Sequence, residues 1–129
     1  MPRDPIIIPN APPSTLPYSV GVRSGDHVFL SGQTGIDPAT GQLVEGAVAA
    51  QAEQIFKGLA RVLAAAGLSL GDAVKCNVYL TDIGDFPAMN AVYARQFEAP
   101  YPARTTVAVA ALPGGARIEI ELVARQPVV

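Results

Sequence analysis

The chain has 129 residues, half of them hydrophobic and only 16% charged, which is the composition of one folded domain and argues against intrinsic disorder. A net charge of −2 argues against a nucleic-acid partner held by bulk electrostatics. Cys76 and His27 are the single cysteine and single histidine, so an internal disulfide framework and a multi-histidine or cysteine-rich metal site within one chain are excluded.

The reading along the chain starts with an arm. Six of the twelve prolines fall in the first 17 residues, and proline fixes φ and lacks the backbone donor, so residues 1–17 are expected to be extended, neither helix nor central strand. No basic segment followed by a long apolar run opens the sequence. No stretch approaches the ~18 apolar residues of a membrane span. With a free cysteine, this points to a cytoplasmic protein. Tyr18–Arg23 alternates and reads as a short strand, Gly25-Asp26 as a turn, and His27–Gly32 as the returning strand of a hairpin. Asp37-Pro38-Ala39-Thr40-Gly41 is a tight turn.

From Gly46 to Ala66 the period changes. Val48, Ala52, Ile55, Phe56, Leu59, Val62, Leu63 and Ala66 recur at three- and four-residue steps, which predicts an amphipathic helix capped by Gly67. Val74, Cys76, Val78 and Leu80 alternate with Lys75, Asn77 and Tyr79, which predicts a strand. A second helix is expected from caps at Asp82–Asp85 to about Phe97, with Phe86, Met89, Val92, Tyr93 and Phe97 as its apolar stripe, ended by Pro100 and Pro102. Arg104–Val109 and Ile118–Arg125 read as two more strands, joined by the Leu112-Pro113-Gly114-Gly115 turn. The fold class that follows is α+β: a single mixed β-sheet with two helices packed on one face, in one domain over residues 1–129.

Period-2 alternation assigns faces. Ile118, Ile120 and Leu122 form the apolar side of the last strand, with Glu119 and Glu121 opposite. In the preceding strand Thr105, Val107 and Val109 are taken as the apolar set, which puts Arg104 and Thr106 on the polar face with the glutamates. That polar face either meets solvent or packs against other subunits. Eleven acids and nine bases are few to cover a globule, which favours a subunit interface.

Arg104 is the chemical candidate the residues themselves offer, because a guanidinium clamps a carboxylate through two parallel hydrogen bonds. A structural pairing with Glu119 or Glu121 is the alternative. Phosphate-loop, dinucleotide, zincin and serine-hydrolase motifs are absent.

Several segments in order carry a family resemblance. They are Pro17-Tyr18, Phe29-Leu30-Ser31-Gly32-Gln33, Asp37-Pro38-Ala39-Thr40-Gly41, Val78-Tyr79-Leu80-Thr81-Asp82, Tyr101-Pro102-Ala103-Arg104-Thr105 and Ile118-Glu119-Ile120-Glu121. Together, over about residues 16–126, they resemble the RidA (YjgF/YER057c/UK114) family of enamine/imine deaminases. The resemblance implies a chorismate-mutase-like homotrimer with clefts between subunits. It implies Arg104 and Glu119 as catalytic residues, and Tyr18, Ser31, Gly32, Asn90 and Thr106 as substrate-binding ones. The implied reaction hydrolyses 2-iminobutanoate or 2-iminopropanoate to a 2-oxo acid and ammonia, with no cofactor and no metal. Two alternatives stand beside it: an endoribonuclease or translation inhibitor of the L-PSP type, and a non-catalytic small-molecule-binding or chaperone-like trimer. Leu16 before Pro17-Tyr18, and Thr105-Thr106 after the arginine, depart from the family's frequent Gly and Ser-Cys and put the preferred substrate side chain in question.

Overall fold

A computed structural model describes residues 2–12 and 14–128. In chain order the elements are β1 (Asp4–Pro5), β2 (Gly21–Ser24), β3 (His27–Gln33), β4 (Ile36–Asp37), β5 (Gln42–Leu43), α1 (Val48–Ala65), β6 (Ala73–Leu80), α2 (Phe86–Ala94), β7 (Ala103–Ala108) and β8 (Ile118–Arg125). Six strands form one sheet in the order β1-β2-β3-β8-β6-β7, and β4 and β5 make a separate small hairpin around the Asp37–Gly41 turn. The main sheet is mixed: β6 and β7 run parallel, and every other neighbouring pair is antiparallel. The α+β class therefore stands.

The proline-rich arm contributes β1 as an edge strand against β2, where its missing donors are tolerated. The first full strand starts at Gly21, three residues later than its alternation suggested. β7 and β8 are not a hairpin. The chain leaves β6, crosses through α2 and adds β7 in parallel at the sheet edge, while β8 inserts between β3 and β6.

α1 spans 18 residues, and its stripe Val48, Ala52, Ile55, Phe56, Leu59, Val62 and Leu63 is buried against the sheet. The chain leaves it through Gly67 at φ +77°, a left-handed turn that glycine adopts without steric cost. The sheet side of the core is Val28, Leu30, Cys76, Val78, Leu80, Ile118, Ile120 and Leu122, each 4% exposed or less. Val74 leaves this series and is exposed, because the β6–β8 register shifts between Ala73 and Lys75.

α2 ends at Ala94, earlier than predicted, although Phe97 beyond it is still buried. Asp82 accepts from the Gly84 amide at 2.8 Å and caps a 3₁₀ turn that leads into the helix. Arg117, just before β8, donates from Nη2 to both carboxylate oxygens of Asp85 at 3.0 and 2.9 Å. The Arg117 amide donates to the buried Gln51 Oε1 at 3.0 Å. One residue thus ties the start of α2 and the flank of α1 to the central strand, and this fixes where α2 lies over the edge strand β7. Among the described residues, no helix is long and apolar enough to cross a membrane.

Candidate functional site

Arg104 does not share a face with Glu119. The parallel register sets Arg104 beside Cys76 and Thr106 beside Val78, and in-register neighbours point their side chains to the same side of a sheet. Cys76 and Val78 are core residues, so Arg104 and Thr106 lie on the helix-covered face. Thr105 and Val107 lie outward, and Val107 is 41% exposed. This reverses the face assignment made from alternation. It also removes the pairing of Arg104 with either glutamate.

What surrounds Arg104 comes from α2. Phe86, Asn90 and Tyr93 follow one another at i, i+4 and i+7, one face of the helix. Arg104 Nη1 donates to Asn90 Oδ1 at 2.7 Å. The guanidinium carbon stands 4.6 Å from the Tyr93 ring centroid and 5.4 Å from that of Phe86, within cation–π range. Asn90 occupies one N–H group and leaves the rest of the fork without a partner among the described residues. Sequence reasoning placed Phe86 and Tyr93 only in the helix stripe. Their spacing with Asn90 was the available sign that the three act together.

Behind the arginine the side chains are buried. The Tyr93 and Thr106 hydroxyls are buried with no hydrogen-bond partner among the described residues. Burial pushes the Tyr93 phenol well above the ordinary tyrosine range, and the neighbouring Cys76 thiol adds to the shift. Burial likewise pushes up the Cys76 thiol, which fits an inert core cysteine.

The second group of residues gathers at the other side of the sheet. β3 carries a bulge between Leu30 and Gln33, opposite β8. There the Glu119 carboxylate lies against Gly32: a Cβ on Gly32 would come within 2.9 Å of Glu119 Oε2. Any larger residue would push the carboxylate aside. Ser31 Oγ donates to the Ser19 carbonyl at 2.6 Å, which ties the bulge to the segment after Tyr18. Tyr18 is 55% exposed and lines the same pocket as Ser31 and Gly32. Burial, and then the negative charge of Glu121, raise the Glu119 carboxyl above the ordinary 4.5.

Glu121 is the less available of the two glutamates. It accepts a short hydrogen bond from the Tyr79 hydroxyl across the sheet. That bond is the main reason the Tyr79 phenol is pushed up to about 12. Lys75 Nζ donates to Thr105 Oγ1 at 2.9 Å on the same outer face. The sequence-predicted residues therefore fall into two sets. Tyr18, Ser31, Gly32 and Glu119 converge at the β3 bulge, while Arg104, Asn90 and Thr106 converge beneath α2. Among the described residues, no three of the His, Cys, Asp and Glu side chains converge as metal ligands.

Comparison with known proteins gives the family. The endoribonuclease L-PSP family model matches residues 8–126. The chain is 48% identical to protein DfrA of Myxococcus xanthus, over 96% of each chain. It is 47% identical to the human protein named 2-iminobutanoate/2-iminopropanoate deaminase, over 90% of this chain and 85% of the human one. The crystal structure of RidA from an Antarctic Psychrobacter superposes with a TM-score of 0.88 at 46% identity, covering 95% of this chain and 99% of that one. A matched family model over most of the chain, and relatives near half identity across nearly its whole length, settle the point: this chain belongs to the RidA (YjgF) family, also described as endoribonuclease L-PSP.

Proposed function

We propose that the protein is a homotrimeric hydrolase of 2-imino and 2-enamino acids, with 2-iminobutanoate and 2-iminopropanoate as its simplest substrates. The observation that carries this reading is that one chain presents a pre-positioned, partly unsatisfied guanidinium at Arg104 and, on its other sheet face, a carboxylate of raised basicity at Glu119. The first suits a substrate carboxylate and the second suits a water that must lose a proton. Relatives named as deaminases of these compounds support it.

Arg104 binds the substrate carboxylate through the N–H groups that Asn90 leaves free, and the aromatic shelf keeps the fork from rotating. Thr106 lines the wall beside it. Glu119 accepts a proton from water as the water oxygen bonds to the carbon of the protonated imine and the C=N π pair moves to nitrogen. It returns that proton to nitrogen and takes the carbinolamine hydroxyl proton as the C–N bond breaks, so ammonia and the 2-oxo acid leave and Glu119 passes the last proton to solvent. Tyr18, Ser31 and Gly32 shape the wall around Glu119. The two residue sets lie on opposite faces of one sheet, so a complete cleft takes Arg104 from one subunit and Glu119 from its neighbour.

The test is a coupled assay that generates 2-iminobutanoate in place and follows its loss. Micromolar protein is expected to accelerate hydrolysis far beyond the buffer rate. Unchanged decay at that concentration refutes the reading.

A further inference from the structure

A pocket of about 250 Å³ opens where the segment before β2, the bulged end of β3 and the middle of α1 meet. Tyr18, Ser31 and Gly32 form one end of it, the end that belongs to the candidate site. The rest has a different chemistry. Ile36 and Val62 supply aliphatic walls, and Arg61 of α1 completes the lining. Arg61 is exposed and makes no hydrogen bond or ion pair with the described residues. Glu53, the acid two turns earlier on α1, is engaged by Arg95 at 2.6 Å. Arg61 therefore brings uncompensated positive charge to the pocket.

The space is kept open by a local exception to helix chemistry. Gly58 sits in the middle of α1, where glycine is unfavourable against alanine. The Gln33 side chain lies across it, and a Cβ on residue 58 would collide with Gln33 Oε1. Gly58 thus lets Gln33 fold down as part of the lining instead of standing out into the opening.

We infer that this pocket is a side-chain subsite for an acidic group: the cleft favours 2-imino acids whose side chain ends in a second carboxylate, held by Arg61. The inference rests on the proposed cleft, in which Arg104 holds the first carboxylate. A two-carbon side chain stays at the Tyr18 end and does not engage Arg61. A five-carbon dicarboxylic imino acid carries its distal carboxylate along the aliphatic walls toward the guanidinium. Hydrolysis is the same for both: water adds at the imine carbon, the C–N bond breaks, and ammonia leaves.

Two measurements on the full chain test this. Calorimetric titration compares glutarate with butanoate, which are unreactive stand-ins for the two substrate classes. Glutarate is expected to bind about fivefold tighter, the scale of an ion pair open to water on one side, and the advantage is expected to shrink in high salt. Arg61→Gln, an exposed change to another good helix former, is expected to abolish the advantage while leaving butanoate binding unchanged. In the kinetic arm, the imines of glutamate and of 2-aminobutanoate are generated in place by an amino-acid oxidase. Arg61→Gln is expected to lower kcat/KM about fivefold for the dicarboxylic imine and less than twofold for the other. Equal affinity for glutarate and butanoate, or a glutarate advantage that survives Arg61→Gln, overturns the subsite. Turnover of neither imine, with Arg61-dependent glutarate binding intact, overturns the deaminase reading and leaves the subsite standing.

Discussion

Arg104 owes its position to α2, not to its own strand. A lone arginine at an exposed edge samples many rotamers; here Asn90 takes one N–H and the Tyr93 and Phe86 rings limit the rest. Removing the fork is therefore expected to damage catalysis by well over about tenfold in Arg104→Ala, since charge-assisted bonds to a carboxylate are worth roughly 1.5–3 kcal/mol. Arg104→Lys is expected to restore little, because an ammonium cannot present two parallel donors. Glu119 behaves differently. Its carboxyl is raised above 4.5, so the acid limb of kcat/KM is expected to lie above pH 4.5 and to vanish in Glu119→Gln together with most of kcat. The sign for stability is opposite. The folded state holds this proton more tightly than the unfolded chain does, so ionisation of Glu119 costs stability as pH rises from 4.5 through its folded value. Glu119→Gln is expected to remove that pH-dependent loss in urea melts, so one substitution lowers turnover while sparing or raising stability. A variant that loses both would mark Glu119 as structural.

At the scale of elements, legibility followed hydrophobic contrast. α1 was readable to within two residues at either end because 18 residues keep one period and its stripe is buried. β8 was readable to the residue, since it is central and its two faces differ sharply. β7 was not. Its sequence, Ala-Arg-Thr-Thr-Val-Ala, offers weak contrast at a sheet edge, and Val107 faces outward. Only its parallel register with β6 decides which side Arg104 takes, and register is a tertiary fact. For the same reason the individual site residues other than Arg104 were reached through family resemblance and not through pattern. Glycine contacts give a test at this scale. A Cβ on Gly35 would stand 2.8 Å from the Gln51 Cα, so α1 itself must move, whereas at Gly58 only the end of the Gln33 side chain must move. Gly35→Ala is therefore expected to destabilise by about 1–3 kcal/mol, as overpacking does. Gly58→Ala is expected to stay within about 1 kcal/mol of the parent, the helix gain offsetting lost Gln33 packing. Urea midpoints that reverse this order would show that the segment from Gln33 to Gly35 and α1 are not packed as described.

In the proposed mechanism the two halves of the site meet only at the scale of the whole assembly. Within one chain Arg104 lies on the helix-covered face at the β7 edge, and Glu119 lies on the outer face beside β3, so no side-chain motion brings them to one substrate. The outer face carries Phe29 and Val107, exposed at 45% and 41%, beside the Tyr79–Glu121 and Lys75–Thr105 pairs. A second copy covering that face would hide apolar area and complete the cleft at once. Light scattering is expected to give about three times the 13.4 kDa chain mass at micromolar concentration. Mass alone does not show that the cleft is shared, and complementation does. Arg104→Ala and Glu119→Gln proteins, each expected to be inactive, are mixed in equal amounts, unfolded in urea and refolded together. A cleft works only when its arginine comes from the Glu119→Gln chain and its glutamate from the Arg104→Ala chain. Random assembly makes about a quarter of the clefts of that kind, so the mixture is expected to regain about a quarter of parental activity. Mixing without unfolding is the control and is expected to recover nothing until subunits exchange. If co-refolded mixtures stay inactive while each variant alone refolds to the parental mass, Arg104 and Glu119 do not serve one cleft from neighbouring chains, and the shared-site mechanism is wrong.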